Sequence, residues 1–421
     1  MVGTLERAQM LEAEPEEVGL SSTKLNNVTR LVHGYINDGK IPGAISMIAR
    51  RGKVVHFETY GKMDEEAGKP MTADTIFRIY SMTKPIASLG LMLLYEEGRF
   101  QLDDPAYKYI PEWKNQKVFI GGTADNPDLR APERPISVRD LLMHTSGLAG
   151  GLGAPESSPT SELFRRAGVR GFGQEGNHTL RDMVERIANV PLQFDPGTKW
   201  NYGISTDVVG YLSEVLSGRP FDVYLKERIF DPLGMSDTGF SVPEASLDRF
   251  AACYRRGGEN DPPYVLQDSP TTSPYAKPRT YFSGAGGLVS TAADYMRFCK
   301  MLANGGELDG VRIAGKRTIE FMAMNHLPGG CDLAAMGQTR FTETSMEGIG
   351  FGLGFAVLLD PAKAQIIGTP GEYYWGGAAS TAFFINPKED LIMIFLTQLL
   401  PSGSYPFRRE LRATIYSSII D

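Results

Sequence analysis

The sequence predicts an α/β protein of the α+β kind, with one antiparallel sheet assembled from both ends of the chain and a mainly helical region inserted between them. Three observations carry this prediction. β-rich runs lie before residue 80 and return after about residue 280, the stretch between them is dominated by helical periodicity and Pro/Gly loops, and 421 residues exceed what one small core requires. The expected division is a sheet domain from residues 1–80 and 281–421 and a helical domain from 81–280, with the active site between them.

In chain order, residues 22–38 carry Leu25, Val28, Val32 and Tyr35 or Ile36 on one face behind the Ser21-Ser22 cap, an amphipathic helix. GAISMIA (43–49) and KVVHFETYG (53–61) follow as strands, and Arg50-Arg51-Gly52 is short enough to make them a hairpin. After Phe77-Arg78-Ile79-Tyr80 the pattern turns helical in SMTKPIASLGLMLLYEEG, where Pro85 falls early enough to be tolerated in the first turn and Leu89, Met92 and Leu93 form the buried face. Residues 180–190 and 204–217 are further helices, and few strands are evident before residue 280. FGLGFAVLLD, EYYWGG, STAFFINP and DLIMIFLTQ then read as strands, with Pro387-Lys388-Glu389-Asp390 as a hairpin turn, and YPFRRELRATIYSSII closes the chain as a helix.

Composition narrows the function. A net charge of −7 and scattered arginine pairs argue against nucleic acid, and no run reaches the roughly 20 apolar residues of a membrane helix. The acidic start lacks a basic-then-apolar order, so a cytoplasmic protein is expected. Cys253, Cys299 and Cys331 match neither a disulfide framework nor a zinc knuckle and are expected to be reduced, buried and structural. The histidines His33, His56, His144, His178 and His326 form no ligand pair, so neither a metal nor a cofactor is expected.

Ser81-Met82-Thr83-Lys84 is an S-x-x-K tetrapeptide opening a helix, and the spacing puts both side chains on one face, about a turn apart. That suits a nucleophile and its proton acceptor, and the helix N-terminus offers a backbone N–H to an oxyanion. The tetrapeptide is common: a chain this long contains on the order of one by chance, and a second stands at Ser21-Ser22-Thr23-Lys24. Ser81 differs in following a strand-like FRIY and entering an apolar helix, although taken alone it is equally readable as an N-cap. Trp200-Asn201-Tyr202-Gly203 lies on a loop after Asp195-Pro196-Gly197, where Tyr202 either projects into a cleft or packs as an ordinary aromatic. Trp375-Gly376-Gly377-Ala378 is a strand end where paired glycines admit a ligand or mark a bulge.

In this order and context the motifs resemble the superfamily of class C β-lactamases, penicillin-binding proteins and family VIII carboxylesterases, over roughly residues 20 to 420. Leu141–Leu148 (LLMHTSGL) and Ser283–Thr291 (SGAGGLVST) resemble recurrent segments of the same group. The resemblance implies a β-lactamase-like fold, acylation of Ser81, proton handling by Lys84 and Tyr202, and an oxyanion hole from the N–H groups of Ser81 and Ala378. It places Trp375, Gly376 and Gly377 in the substrate-binding strand that carries Lys-Thr-Gly elsewhere. Two departures matter. Ile204 stands where relatives have asparagine, and Trp375 replaces a cation that would pair with the carboxylate of a penicillin, which favours neutral short-chain esters and resembles the family VIII esterases.

Unperturbed lysine and tyrosine, at about 10.4 and 10, are both protonated at neutral pH, so one must be shifted, and the sequence leaves open which. Alternatives on the same site are a β-lactamase, a D-amino-acid peptidase or an acyltransferase, with a non-catalytic sensor as the reading from another class. Three further motifs are set aside. Gly171–Gly176 matches G-x-G-x-x-G without a preceding strand, Gly310–Lys316 resembles a P-loop but continues into Arg317, and His144 lacks a G-x-S-x-G partner and reads as structural.

Overall fold

The computed structural model describes residues 10–150, 157–169, 178–259, 261–341 and 343–421. The G-x-G-x-x-G match at 171–176 lies outside the described residues.

The first helix, α1 (Ser22–Asn37), begins where its cap predicts: the Ser21 side chain accepts from the Lys24 N–H, and Leu25, Val28, Val32 and Tyr35 are buried. Strands β1 (Gly43–Arg50) and β2 (Lys53–Asp64) form the expected hairpin. Its two-residue turn has φ 50° at Arg51 and 77° at Gly52, the left-handed geometry that matches strand twist. A short β3 (Lys69–Pro70) follows at the edge.

From the other end of the sequence come β4 (Ile349–Phe351), β5 (Ala356–Leu358), β6 (Tyr373–Gly376), β7 (Ala382–Asn386) and β8 (Leu391–Leu396). The predicted 387–390 turn joins β7 to β8, with Asn386 Oδ1 accepting the N–H groups of Lys388 and Glu389. The sheet order is β4-β5-β6-β7-β8-β1-β2-β3, antiparallel throughout. The joint between chain ends is β8 on β1, with Ile45 opposite Leu396 and Arg50 opposite Leu391. Both strands are buried along their whole length, as central strands covered on two faces must be.

Side-chain alternation along β7 identifies the two layers. Phe384 stacks on Tyr416 of the C-terminal helix α5 (Phe407–Tyr416), whereas its neighbour Phe383 meets Tyr295 of α4 (Ala292–Ala303) on the opposite face. Helix α1 packs against α5, so both terminal helices cover one face, and the other face carries α4. Between the two groups of strands run α2 (Thr83–Glu96) and α3 (Ser205–Ser217), which pack on each other.

Three details depart from the sequence reading. The α-helix starts at Thr83 rather than Ser81, because Tyr80–Met82 forms a 3-10 turn entered through Tyr80 at φ 43°. Two strand pairs lie within 81–280, at Val118–Gly122 with Pro127–Arg130 and at Cys253–Arg256 with Tyr264–Asp268, and a bulge in each breaks the period-two pattern. Cys253 and Cys299 are buried and Cys331 is only partly so, and all three are free thiols. The P-loop-like segment 310–316 supplies the second strand of a hairpin, Glu307–Leu308 with Val311–Arg312, turning at Asp309-Gly310, and ends at Lys316 as a helix begins. No helix among the described residues is long and apolar enough to cross a membrane.

Candidate active site

Ser81 sits in the tight turn that leads from the Phe77–Arg78 strand into α2, and it is 6% exposed. The turn is locked from outside: the Ile79 N–H donates to the Leu288 carbonyl, the Leu288 N–H to Thr83 Oγ1, and the Tyr295 hydroxyl to the Met82 carbonyl. One turn on, Lys84 Nζ lies 3.3 Å from Ser81 Oγ and donates to the Ala285 carbonyl at 2.6 Å. Pro85 falls in the first turn of α2, where its missing N–H leaves no helical bond unmade.

Tyr202 comes from the loop before α3. Its hydroxyl is hydrogen-bonded to Ser81 and accepts from Trp375 Nε1 at 3.1 Å, while its ring lies 4.3 Å from Lys84 Nζ. Trp375 points from β6 toward this tyrosine, and the rings of Trp200, Phe341 and Phe351 complete an aromatic wall around the pair. The three residues singled out from sequence, Ser81, Lys84 and Tyr202, are thus brought together, and Trp375 joins them.

The glycines after Trp375 have steric reasons. A Cβ on Gly377 would collide with Thr381 Oγ1 and the Ile79 carbonyl, so only glycine lets the end of β6 pass beside the Ser81 turn. Gly376 faces the other side of the sheet, against the Arg408 guanidinium. The Gly377 N–H is taken by the Thr381 carbonyl, whereas that of Ala378 has no partner among the described residues.

Electrostatics separates the two candidate bases. Burial lowers Lys84 from 10.5 to about 7 against the opposing pull of Asp207. Burial also raises the Tyr202 phenol well above its ordinary value, outweighing its bonds to Ser81 and Trp375. A neutral amine is therefore accessible near neutral pH and a phenolate is not.

Sequence reasoning missed Asp207, the charged group that faces Lys84. It is buried on α3, accepts from Ser283 Oγ at 2.6 Å and the Ala285 N–H at 3.1 Å, and burial raises its carboxyl above the ordinary value. Ile204, where a polar partner for Lys84 was in doubt, is buried and apolar, and the Ala285 carbonyl is a polar contact of Lys84 from another segment. The signal was available in the SGAGG segment, which supplies both Ser283 and Ala285. His144, expected to be structural, lies fully buried with its ring 4.9 Å from that of Tyr202, and burial together with Lys84 holds it well below its ordinary value.

Comparison with known proteins gives the family and the fold. Residues 28–416 match the Beta-lactamase family. The Mycobacterium tuberculosis protein Rv1367c is 34% identical over 369 residues, covering 87% of this chain and 88% of that one. Esterase EstB of Burkholderia gladioli is 30% identical over 401 residues, 91% of this chain and 92% of its own. The solved structure of EstCE1, described as a hydrolase with promiscuous acyltransferase activity, superposes with a TM-score of 0.77 at 26% identity, over 94% of this chain and 99% of that one. The chain belongs to the Beta-lactamase family and, within that superfamily of serine hydrolases, stands with the family VIII esterases.

Proposed function

We propose that the protein is a carboxylesterase that hydrolyses neutral short-chain esters through an acyl-Ser81 intermediate. The observation that carries this reading is the lowered Lys84 amine 3.3 Å from Ser81 Oγ, with an indole rather than a cation presented from β6 to the neighbouring Tyr202. Lys84 takes the Ser81 proton as the serine oxygen attacks the ester carbonyl, and later returns it to the departing alcohol. Tyr202 stays a neutral phenol that passes or holds that proton by its bond to Ser81. The N–H groups of Ser81 and Ala378 receive the oxyanion, and Trp375, Gly376 and Gly377 line the substrate. The substrate enters between a sheet domain of residues 1–80 and 281–421 and a helical domain of 81–280.

An apolar ring at Trp375 gives no partner to a β-lactam carboxylate, which places lactamase and D-amino-acid peptidase activities below ester hydrolysis. Acyl transfer is the second reading, favoured by the likeness to EstCE1. The test is nitrophenyl butyrate hydrolysis by the wild type and Ser81→Ala, with nitrocefin alongside. Turnover confined to the ester and abolished by Ser81→Ala sustains the reading; equal activity of the two proteins refutes the nucleophile. Because Lys84 must be deprotonated to act, kcat/KM should rise through about pH 7.

A further inference from the structure

Asp207 is five residues beyond Tyr202 and 4% exposed, in the first turn of α3. An acid there usually serves the helix itself by facing its unpaired N–H groups. Asp207 does otherwise. Its Oδ1 reaches out of the helix to Ser283 Oγ and the Ala285 N–H, and the Tyr281 hydroxyl is hydrogen-bonded to it as well. Ala285 in turn presents its carbonyl to Lys84 Nζ at 2.6 Å. A carboxylate buried this deeply is costly unless a charge within reach answers it, and the cation facing it is Lys84.

We propose that Asp207 is a positioning residue that holds the Ala285 carbonyl against Lys84 and supplies the counter-charge for the ammonium formed when Lys84 takes the Ser81 proton. The inference rests on the esterase reading above and deepens it. In the step concerned the Ser81 O–H bond breaks, its proton moves to the Lys84 lone pair, and the serine oxygen pair forms the new bond to the ester carbon. The carbonyl π pair moves onto the oxyanion. When the ester C–O bond breaks, the proton leaves with the alcohol and Lys84 is neutral again. Asp207 touches none of the reacting atoms and acts through Ala285 and through its charge.

The groups facing Lys84 are Asp207 from α3, Tyr202 from the loop before it and His144 from the 141–148 segment, while Asp207 is faced by Lys84 and by Tyr281, itself near Arg279. Tyr202 and Tyr281 are raised and His144 lowered, which leaves Lys84, brought down to about 7, as the group that titrates near neutrality, beside an Asp207 carboxyl that burial raises above its ordinary value.

The test is the pH profile of kcat/KM for nitrophenyl butyrate in the wild type and in Asp207→Asn, which preserves shape and hydrogen-bond acceptance but not charge, with Ser81→Ala as blank. Loss of the carboxylate makes Lys84 easier to deprotonate, so the acid limb should move down by at least about half a pH unit while the plateau falls about ten-fold or more. A residue with a merely structural role would lower the plateau without moving the limb, and that result overturns the proposal. Should Asp207→Asn fail to fold by circular dichroism, Ser283→Ala decides: removing a donor that favours the ionised carboxyl raises Asp207 further and enlarges its neutral fraction, which should move the limb the same way by less, and an unmoved limb overturns the proposal. A wild type without Ser81-dependent turnover overturns the esterase reading and this inference together, whereas Ser81-dependent turnover with unmoved limbs overturns this inference alone.

Discussion

Replacing Lys84 by methionine and Asp207 by asparagine in one variant should abolish turnover and stabilise the fold in a pH-dependent way. Methionine fills a similar volume without a charge, and the paired change avoids leaving a buried carboxylate alone. Burial lowers the Lys84 ammonium from 10.5 to about 7. The unfolded chain therefore keeps this proton up to about pH 10.4 while the folded chain releases it from near 7, so across that window the unfolded state binds more protons and wild-type stability rises with pH. Below pH 7 the penalty for burying the amine is complete. Integrating the lysine's titration between about pH 7.5 and 9.5, the wild type should gain about 2.5 kcal/mol relative to the double variant, with groups common to both cancelling. Equilibrium urea unfolding, followed through Trp113, Trp200 and Trp375, measures the difference at each pH. Parallel stability curves would refute the shifted lysine and with it the reasoning that makes Lys84 the base.

Three other outcomes follow from the packing around the site. Tyr202→Phe removes the acceptor of Trp375 Nε1, so it should cost about 1–3 kcal/mol in urea unfolding and lower kcat by about 100-fold or more. Trp375→Lys replaces the indole by a cation beside Tyr202, and the ratio of nitrocefin to nitrophenyl butyrate turnover should rise while absolute ester turnover falls about ten-fold. Glu372→Gln strands the Arg412 guanidinium, 2% exposed and bonded to Glu372 at 2.9 Å, and should destabilise the sheet–helix joint by about 3–5 kcal/mol without moving KM.

How far the sequence could be read depended on the range over which each signal acts. The hairpin at Arg51-Gly52, the Ser21 cap and the strands from 373 onward are local features, where turn chemistry and periodicity act within a few residues, and these matched the structure, whereas FGLGFAVLLD, read as one strand, is divided by a tight turn at Gly352–Phe355 between β4 and β5. The 118–130 hairpin escaped because its bulge between Phe119 and Gly121 removes the alternation that marks a strand. The start of α2 was misplaced because the turn at Ser81 is fixed by Leu288 and Tyr295, partners more than 200 residues away. Asp207 escaped for the same reason: its hydrogen bonds go to Ser283 and Ala285, 76 and 78 residues downstream, and a carboxylate in the first turn of a helix gives no sign of them. That Ser81, Lys84, Tyr202 and Trp375 come together in space was legible because order and resemblance, rather than any one motif, singled them out.

The most direct test of the central claim is to trap the acyl-enzyme. The wild type and Ser81→Ala would be treated with a fluorophosphonate probe and, separately, mixed rapidly with nitrophenyl butyrate and quenched in acid, and the intact masses and labelled peptides compared. The account predicts a phosphonyl and a butyryl adduct on the peptide that contains Ser81, both absent from Ser81→Ala. An adduct on another residue, or one that persists in Ser81→Ala, would contradict it.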